Sequence, residues 1–330
     1  TTLAQENVFY AAAADVYRAL IQQVPGSGAI RGIATLGGHV YAWRDTADGL
    51  AGEIYKDSAS GWVVVPRYYV YSFTGGGTAY TDGSTLTQGA VTATVKRVVL
   101  TSGAWSGTAA GKLVTTIPTG GAGNFANGAA AGTGTCTLAS VAASAALAQV
   151  TLAPGGRVET IAFNFGGATG TRRLYGCDGV NAEFEFDGDV LVPLSTGMTN
   201  KASFVAAHRN YLWYAYGSSL QKSSIGSPYV WSAVLGAAEI AVGDDITGMA
   251  ASPGNQDTSS LTVTCSNSTY VLYGSTSADF KLDRISDEAG AMAASLKTAG
   301  PPLGYDAPGS RVSKPTQSFG HFPGDSASRK

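Results

Sequence analysis

Residues 173–282 repeat one device: an apolar or aromatic strand, a tight polar turn and a second strand. The stretch contains RLYGCDGVNAEFEFDGDVLVPLSTG, AAHRNYLWYAYGSSLQ and TCSNSTYVLYGSTSADFKL, and the same pattern opens the chain at residues 33–43 as IATLGGHVYAW. Gly, Asn and Asp between the apolar runs supply the backbone conformations that two-residue hairpin turns require. Short strands at intervals of 8–12 residues, separated by such turns, predict an all-β fold built as a propeller-like array of antiparallel hairpins. The spacing is uneven, so the array is not a strict repeat of the WD40 kind.

The texture changes along the chain. Residues 6–23 place Val8, Ala11, Ala12, Val16, Leu20 and Ile21 at helical spacing, which predicts one short N-terminal helix ended by PGSG at 25–28. Hairpins are expected at 30–44 and 52–66. From 75 to 155 the chain is rich in Gly, Ala, Thr and Ser and poor in charge. Within it AVTATVKRVVLTS alternates as a strand, residues 105–107 and 112–117 suggest a hairpin, and 125–134 reads as loop. The expected organisation is therefore a discontinuous β body, residues 1–74 and 156–298, carrying a small inserted β module at 75–155. A Pro- and Gly-rich extended segment follows at 299–330.

Composition narrows the function. Charged residues make up 13% of the chain, about half the usual roughly 25%. Two readings of that shortage stand side by side: surfaces covered by neighbouring subunits, or a neutral surface of Ser and Thr. The net charge of −2 provides no basic field to hold nucleic acid through its phosphates. Cys136, Cys177 and Cys265 are odd in number, far apart and without a CxxC pair, so neither a disulfide framework nor a zinc site is expected, and they read as small core residues of a chain folded in a reducing cytoplasm. No secretory leader and no membrane-spanning segment is expected from the apolar runs.

Motifs that would carry chemistry fail on inspection. GTAAGKL at 107–113 has three residues between its glycines, where a phosphate-binding loop needs four, and Leu113 stands where a magnesium-binding hydroxyl is required. It reads as a hairpin turn. His39 and His208 each fall at a hairpin turn without the partners that a general base needs. The carboxylates Glu183, Glu185, Asp187 and Asp189 would share one face of an alternating strand; paired for glycoside hydrolysis or calcium they would be functional, but no calcium-loop pattern is present, and the preferred reading is a solvated face opposite Phe184 and Phe186. Tyr68, Tyr69, Tyr71, Tyr211, Trp213, Tyr214, Tyr216, Tyr229 and Trp231 could form a sugar platform but are better read as packing between sheets. Catalytic, cofactor-binding and metal residues are therefore expected to be none, and the chain reads as a structural part and not an enzyme.

The segments SGAIRGIATLGGHVYAWRDTADGLAGEIYKDSASGWVVV, ATVKRVVLTSGAWSGTAAGKLV, GTRRLYGCDGVNAEFEFDG, SSIGSPYVWSAVLGAAEIAVGDDITG and STSADFKLDRISDEAGAMAASLKT resemble tailed-bacteriophage virion proteins of the nozzle or tail-hub (tail tubular) family of short-tailed phages. The resemblance spans residues 26 to 293, and GSPYVW and SDEAGA are its most specific phrases. Beyond Thr298 the run GPPLGYDAPGSRV departs from the family's pattern. The resemblance implies a virion tail component assembled in the host cytoplasm: a homo-hexameric ring below the portal and adaptor proteins, touching tail fibres or spikes, through which double-stranded DNA is ejected without specific binding. Asp244 and Asp245 are the candidates for an acidic channel wall. The rival expectation is a carbohydrate-binding tail fibre or adhesin component that uses the Tyr and Trp surfaces and the Glu183 to Asp189 face.

Overall fold

A computed structural model describes residues 22–168, 170–252, 260–274, 276 and 279–293. Nearly all regular structure is antiparallel β. Strands β1 (Ile30–Leu36), β2 (His39–Asp45), β3 (Gly52–Ser58) and β4 (Gly61–Val64) form a first four-stranded sheet in sequence order. Three further sheets repeat that meander: β11 (Glu159–Phe163), β12 (Arg173–Cys177), β13 (Phe184–Phe186) and β14 (Leu191–Pro193); β15 (Phe204–His208), β16 (Tyr211–Tyr216), β17 (Ser219–Lys222) and β18 (Ala238–Ala241); β19 (Ile246–Ala251), β20 (Leu261–Cys265), β21 (Thr269–Tyr273) and β22 (Lys281–Ser286). The hairpin turns are local in origin. Gly37 and Gly38 both take positive φ (59° and 80°), as do Arg209 and Asn210 (55° and 59°), and two consecutive positive φ values make the turn whose twist matches its flanking strands.

The four sheets pack face to face in chain order. Tyr41, Trp43 and Ile54 of the first meet Leu174, Phe184 and Phe186 of the second. Tyr175 and Cys177 on the second sheet's opposite face meet Leu212, Tyr214 and Tyr216 of the third. Tyr211, Trp213 and Ala215 of the third meet Leu261, Val263 and Leu272 of the fourth. This explains why YLWYAY is apolar without a break: β16 is buried on both faces, and all six of its residues are buried. Gly176 lets the Phe184 ring lie across β12, since a Cβ there would sit 2.3 Å from Phe184 Cζ.

Between the first and second sheets the chain builds a closed six-stranded barrel. Its strands are β5 (Tyr69–Gly76), β6 (Thr85–Gln88), β7 (Val91–Ser102), β8 (Ala109–Thr115), β9 (Gly128–Gly132) and β10 (Cys136–Ala139), in the order β10-β5-β8-β7-β6-β9. A one-turn helix α1 (Ala145–Ala148) follows. Tyr71, Phe73, Leu86, Val95, Leu113 and Leu138 fill the interior. Phe73 stacks on Trp105 at 5.1 Å, and Tyr71 meets the edge of Phe125 at 5.0 Å.

The barrel differs from the sequence expectation in its details. It takes in β5, residues 69–76, upstream of the composition change at Thr74. Residues 128–132, expected as loop, are strand β9: GAAAG has no β-branched residue, and its pairing with β6 and β10 holds it extended. Residues 105–107 are a turn, and of 148–152, expected as a strand, Ala148 ends α1 while 149–152 follow as irregular chain with one bridge from Gln149 to Tyr69. The expected N-terminal helix, apart from residues 22 and 23, lies outside the described residues, as does the 299–330 segment.

GTAAGKL acquires a steric explanation. Gly111 of β8 lies against β7 so closely that a Cβ would stand 1.9 Å from the Val99 carbonyl oxygen. Gly111→Ala is therefore expected to prise β7 from β8 and destabilise the chain by about 1–3 kcal/mol, the usual range for overpacking. Urea denaturation checks this.

Candidate functional site

The site begins with an irregularity in β7. Val91, Ala93 and Val95 point into the barrel. A register shift between Val95 and Arg97 then adds one residue against β8, and an extra residue moves every later side chain to the opposite face. Val98 and Leu100 regain the interior, while Arg97 and Val99 face outward. Val99 and Val114 of the barrel wall pack on Val190 and Val192 of the second sheet. Around this apolar contact Lys112 Nζ donates to the Pro193 carbonyl at 2.5 Å, and Tyr68 Oη donates to Asp189 at 3.0 Å. Burial lowers the Lys112 ammonium to about 8 and, ahead of the Asp189 hydrogen bond, raises the Tyr68 phenol to about 12.

Glu185 lies at the edge of this contact. In β13 it sits between Tyr175 and Val192 of the neighbouring strands, on the face opposite Phe184 and Phe186, and is 0% exposed. Arg97 Nη2 donates to its Oε1 at 2.8 Å, and Arg173 Nε stands 3.7 Å from the same oxygen. Tyr229 Oη donates to Oε2 and accepts from Arg97 Nη2 at 2.9 Å. Tyr229 is delivered by the GSPYVW loop. Gly226 turns that loop at φ 65° with its N–H on the Asn210 carbonyl, and Trp231 Nε1 donates to the Pro228 carbonyl at 2.9 Å. Burial pushes the Glu185 carboxyl up to about 7, against the opposing pull of Arg97 and Arg173.

The expectation of a solvated carboxylate face is thus overturned for two of its members. Glu183 is also buried, and accepts from Ala202 N–H at 2.9 Å and from the Thr196 hydroxyl at 3.3 Å. The reason is packing: both faces of the second sheet are covered, so alternation there does not separate core from solvent. Asp187 and Asp189 lie beyond the strand, and Asp187 Oδ1 holds the turn by accepting from Asp189 and Val190 N–H.

Beside this cluster opens a cleft of about 230 Å³, lined by Arg97, Phe165, Gly166, Thr171, Arg173, Tyr175, Gly226, Ser227, Pro228 and Tyr229. The Nε atoms of Arg97 and Arg173 are buried and make no hydrogen bond, Arg173 Nε standing 3.7 Å from Glu185 Oε1. Arg173 is held by Nη1, which donates to the carbonyls of Gly170 and Arg172.

The other sequence candidates fall elsewhere. Asp244 clamps a turn: its Oδ2 accepts from Asn267 N–H at 3.1 Å and the Ser268 hydroxyl at 2.9 Å, which lowers its carboxyl pKa. Asp245 is exposed and engages through its backbone. His39 pairs with Asp57 at 2.8 Å, and burial lowers His208 to about 4. Tyr211, Trp213, Tyr214 and Tyr216 are buried between sheets. The three cysteines are buried and unpaired. Among the described residues no three His, Cys, Asp or Glu side chains gather as a metal site, and no helix is long and apolar enough to cross a membrane.

Sequence reasoning missed the Arg97–Glu185–Arg173–Tyr229 cluster. One signal was present: apolar residues of β7 alternate at 91, 93 and 95, Lys96 and Arg97 interrupt them, and 98–100 are apolar without a break, which marks an irregular strand. No family model, no curated protein and no solved structure matches the chain.

Raising the carboxyl from 4.5 to about 7 means that the folded state holds its proton more tightly than the unfolded chain. Glu185 therefore contributes its full stability below pH 4.5, and that contribution falls as pH rises to about 7, by roughly 3 kcal/mol in all. Glu185→Gln mimics the protonated side chain. Its melting temperature relative to the wild type is expected to climb between pH 5 and about 8, measured by calorimetry; a constant difference would refute the burial argument.

Proposed function

We propose that the chain is a structural ring subunit of a bacteriophage tail, a nozzle or hub through which DNA passes, with its four sheets arranged as propeller-like blades. The observation that carries this reading is the presence of exposed apolar side chains on both end faces of the array. On the first sheet Ile33 and Val64, on the face turned away from the second, are 65% and 51% exposed. On the outward side of the fourth sheet Tyr273 and Ile285 are 48% and 59% exposed. The loop after β17 adds Ile225, Val234 and Leu235, also exposed. Exposed apolar side chains at both ends, set among charged ones, suit contact between copies. The two faces differ, so the contact is head to tail, and such contacts close into a ring when the rotation allows. Low charge and the resemblance of GSPYVW and SDEAGA to nozzle proteins support the same reading.

In this proposal the ring is a hexamer on the tail axis, below portal and adaptor proteins, with fibres or spikes at its periphery and the inserted barrel as the contact module. The carbohydrate-binding alternative is less favoured, because the Tyr211 to Tyr216 aromatics and the carboxylates Glu183 and Glu185 are buried and offer no platform. Of the channel-wall candidates Asp245 is the informative one, since reversing Asp244 would also unpin its turn.

Native mass spectrometry of the full chain is expected to show six copies. Ile33→Asp and Ile285→Asp are each expected to give monomer, with stability changed by no more than about 0.5 kcal/mol as for other surface positions. A wild-type monomer, or a trimer at the tail periphery, would sink the ring and bring the adhesin forward. In a phage carrying Asp245→Lys, DNA ejection is expected to slow; an unchanged rate would remove Asp245 from the channel wall.

A further inference from the structure

We propose that the cleft between Arg97 and Arg173 is a binding site for a small oxyanion, with inorganic phosphate the chemistry it fits. Two guanidinium groups face one carboxylate, Glu185, so the cluster keeps a surplus positive charge. Asp82 approaches Arg97 Nη1 only to 4.0 Å and is exposed to solvent. Each guanidinium carries five N–H donors in a fixed fork, and neither set is used up. Arg97 spends Nη2 on Glu185 and Tyr229; Arg173 spends Nη1 on two carbonyls. Among the described residues Arg97 Nη1 and Arg173 Nη2 make no hydrogen bond.

Both arginines line the cleft, and guanidinium donors left over there suit acceptor oxygens. Its volume of about 230 Å³ is several times that of one water. Phe165, Tyr175 and Tyr229 wall it and weaken the screening of charge. Forked guanidinium donors pair in parallel with two oxygens of one anion, which water does not offer. The cleft is too small for a DNA duplex, so this site is separate from any channel surface, and its test does not depend on whether the chain forms a ring.

The test is calorimetric titration of the full chain with inorganic phosphate at low salt, with ³¹P line broadening as a second readout. Saturable binding of one phosphate per chain is expected. Arg173→Gln is expected to weaken it about tenfold or more, the usual effect of losing a charged hydrogen bond. Glu185→Gln, which removes the buried carboxylate of the cluster, is expected to tighten it. Acetate is expected to bind more weakly, and duplex DNA not to compete. Absence of saturable binding up to about 10 mM phosphate, beyond the millimolar range of weak specific affinity, overturns the proposal. Competition by DNA, which would place the contact on the outer surface, also overturns it. If Arg173→Gln does not fold, Glu185→Gln decides: unchanged or weaker phosphate binding overturns the site.

Discussion

The burial of one carboxylate organises the junction on which the domain arrangement rests. Glu185 is held from three directions: by Arg97 on the barrel wall, by Arg173 on its own sheet and by Tyr229 from the loop after β17. A charge withdrawn from water is tolerable only with such partners, and removing one of them leaves the others buried without compensation. The cluster thus defines the position of the barrel more sharply than the Val99, Val114, Val190 and Val192 contact beside it, whose apolar groups slide over one another at little cost. Hydrophobic contact brings the parts together; the ion cluster selects one docking geometry.

That division of labour bears on what could be read in advance. The hairpins were legible because their signals are local: Gly37–Gly38 and Asn210 favour positive φ wherever they sit, and the strands on either side alternate or run apolar accordingly. The barrel was less legible because its strands owe their existence to distant partners. GAAAG has weak preference for extension and becomes β9 only between β6 and β10. The site was the least legible part. Glu183 and Glu185 alternate with two phenylalanines as on any half-exposed strand, and only the stacking of a sheet or barrel on each face shows that no solvated face exists. Arg97 left a trace in the broken spacing of β7, but a bulge tells where a side chain turns, not what it meets.

The same packing separates two kinds of aromatic residue. Trp213, Tyr214 and their neighbours fill the spaces between sheets and act through area. Tyr229 acts through its hydroxyl, which accepts from Arg97 and donates to Glu185. Sequence patterning treats both as apolar positions, and so the one with a polar task is found only once its loop is placed.

The barrel's closure has a consequence for the order in which the chain can fold. Each of the four sheets pairs strands that are neighbours in sequence, so each can form as soon as its own residues are available. The barrel closes only when β10 pairs with β5, at the two ends of the inserted segment. Closing such a loop costs more chain entropy and is slower than forming a hairpin. The second sheet and the β7–β8 hairpin that carries Arg97, Val99 and Val114 can both form early, but the barrel that fixes this hairpin is complete only after that closure. Barrel closure is therefore the step that commits the body and its insertion to each other.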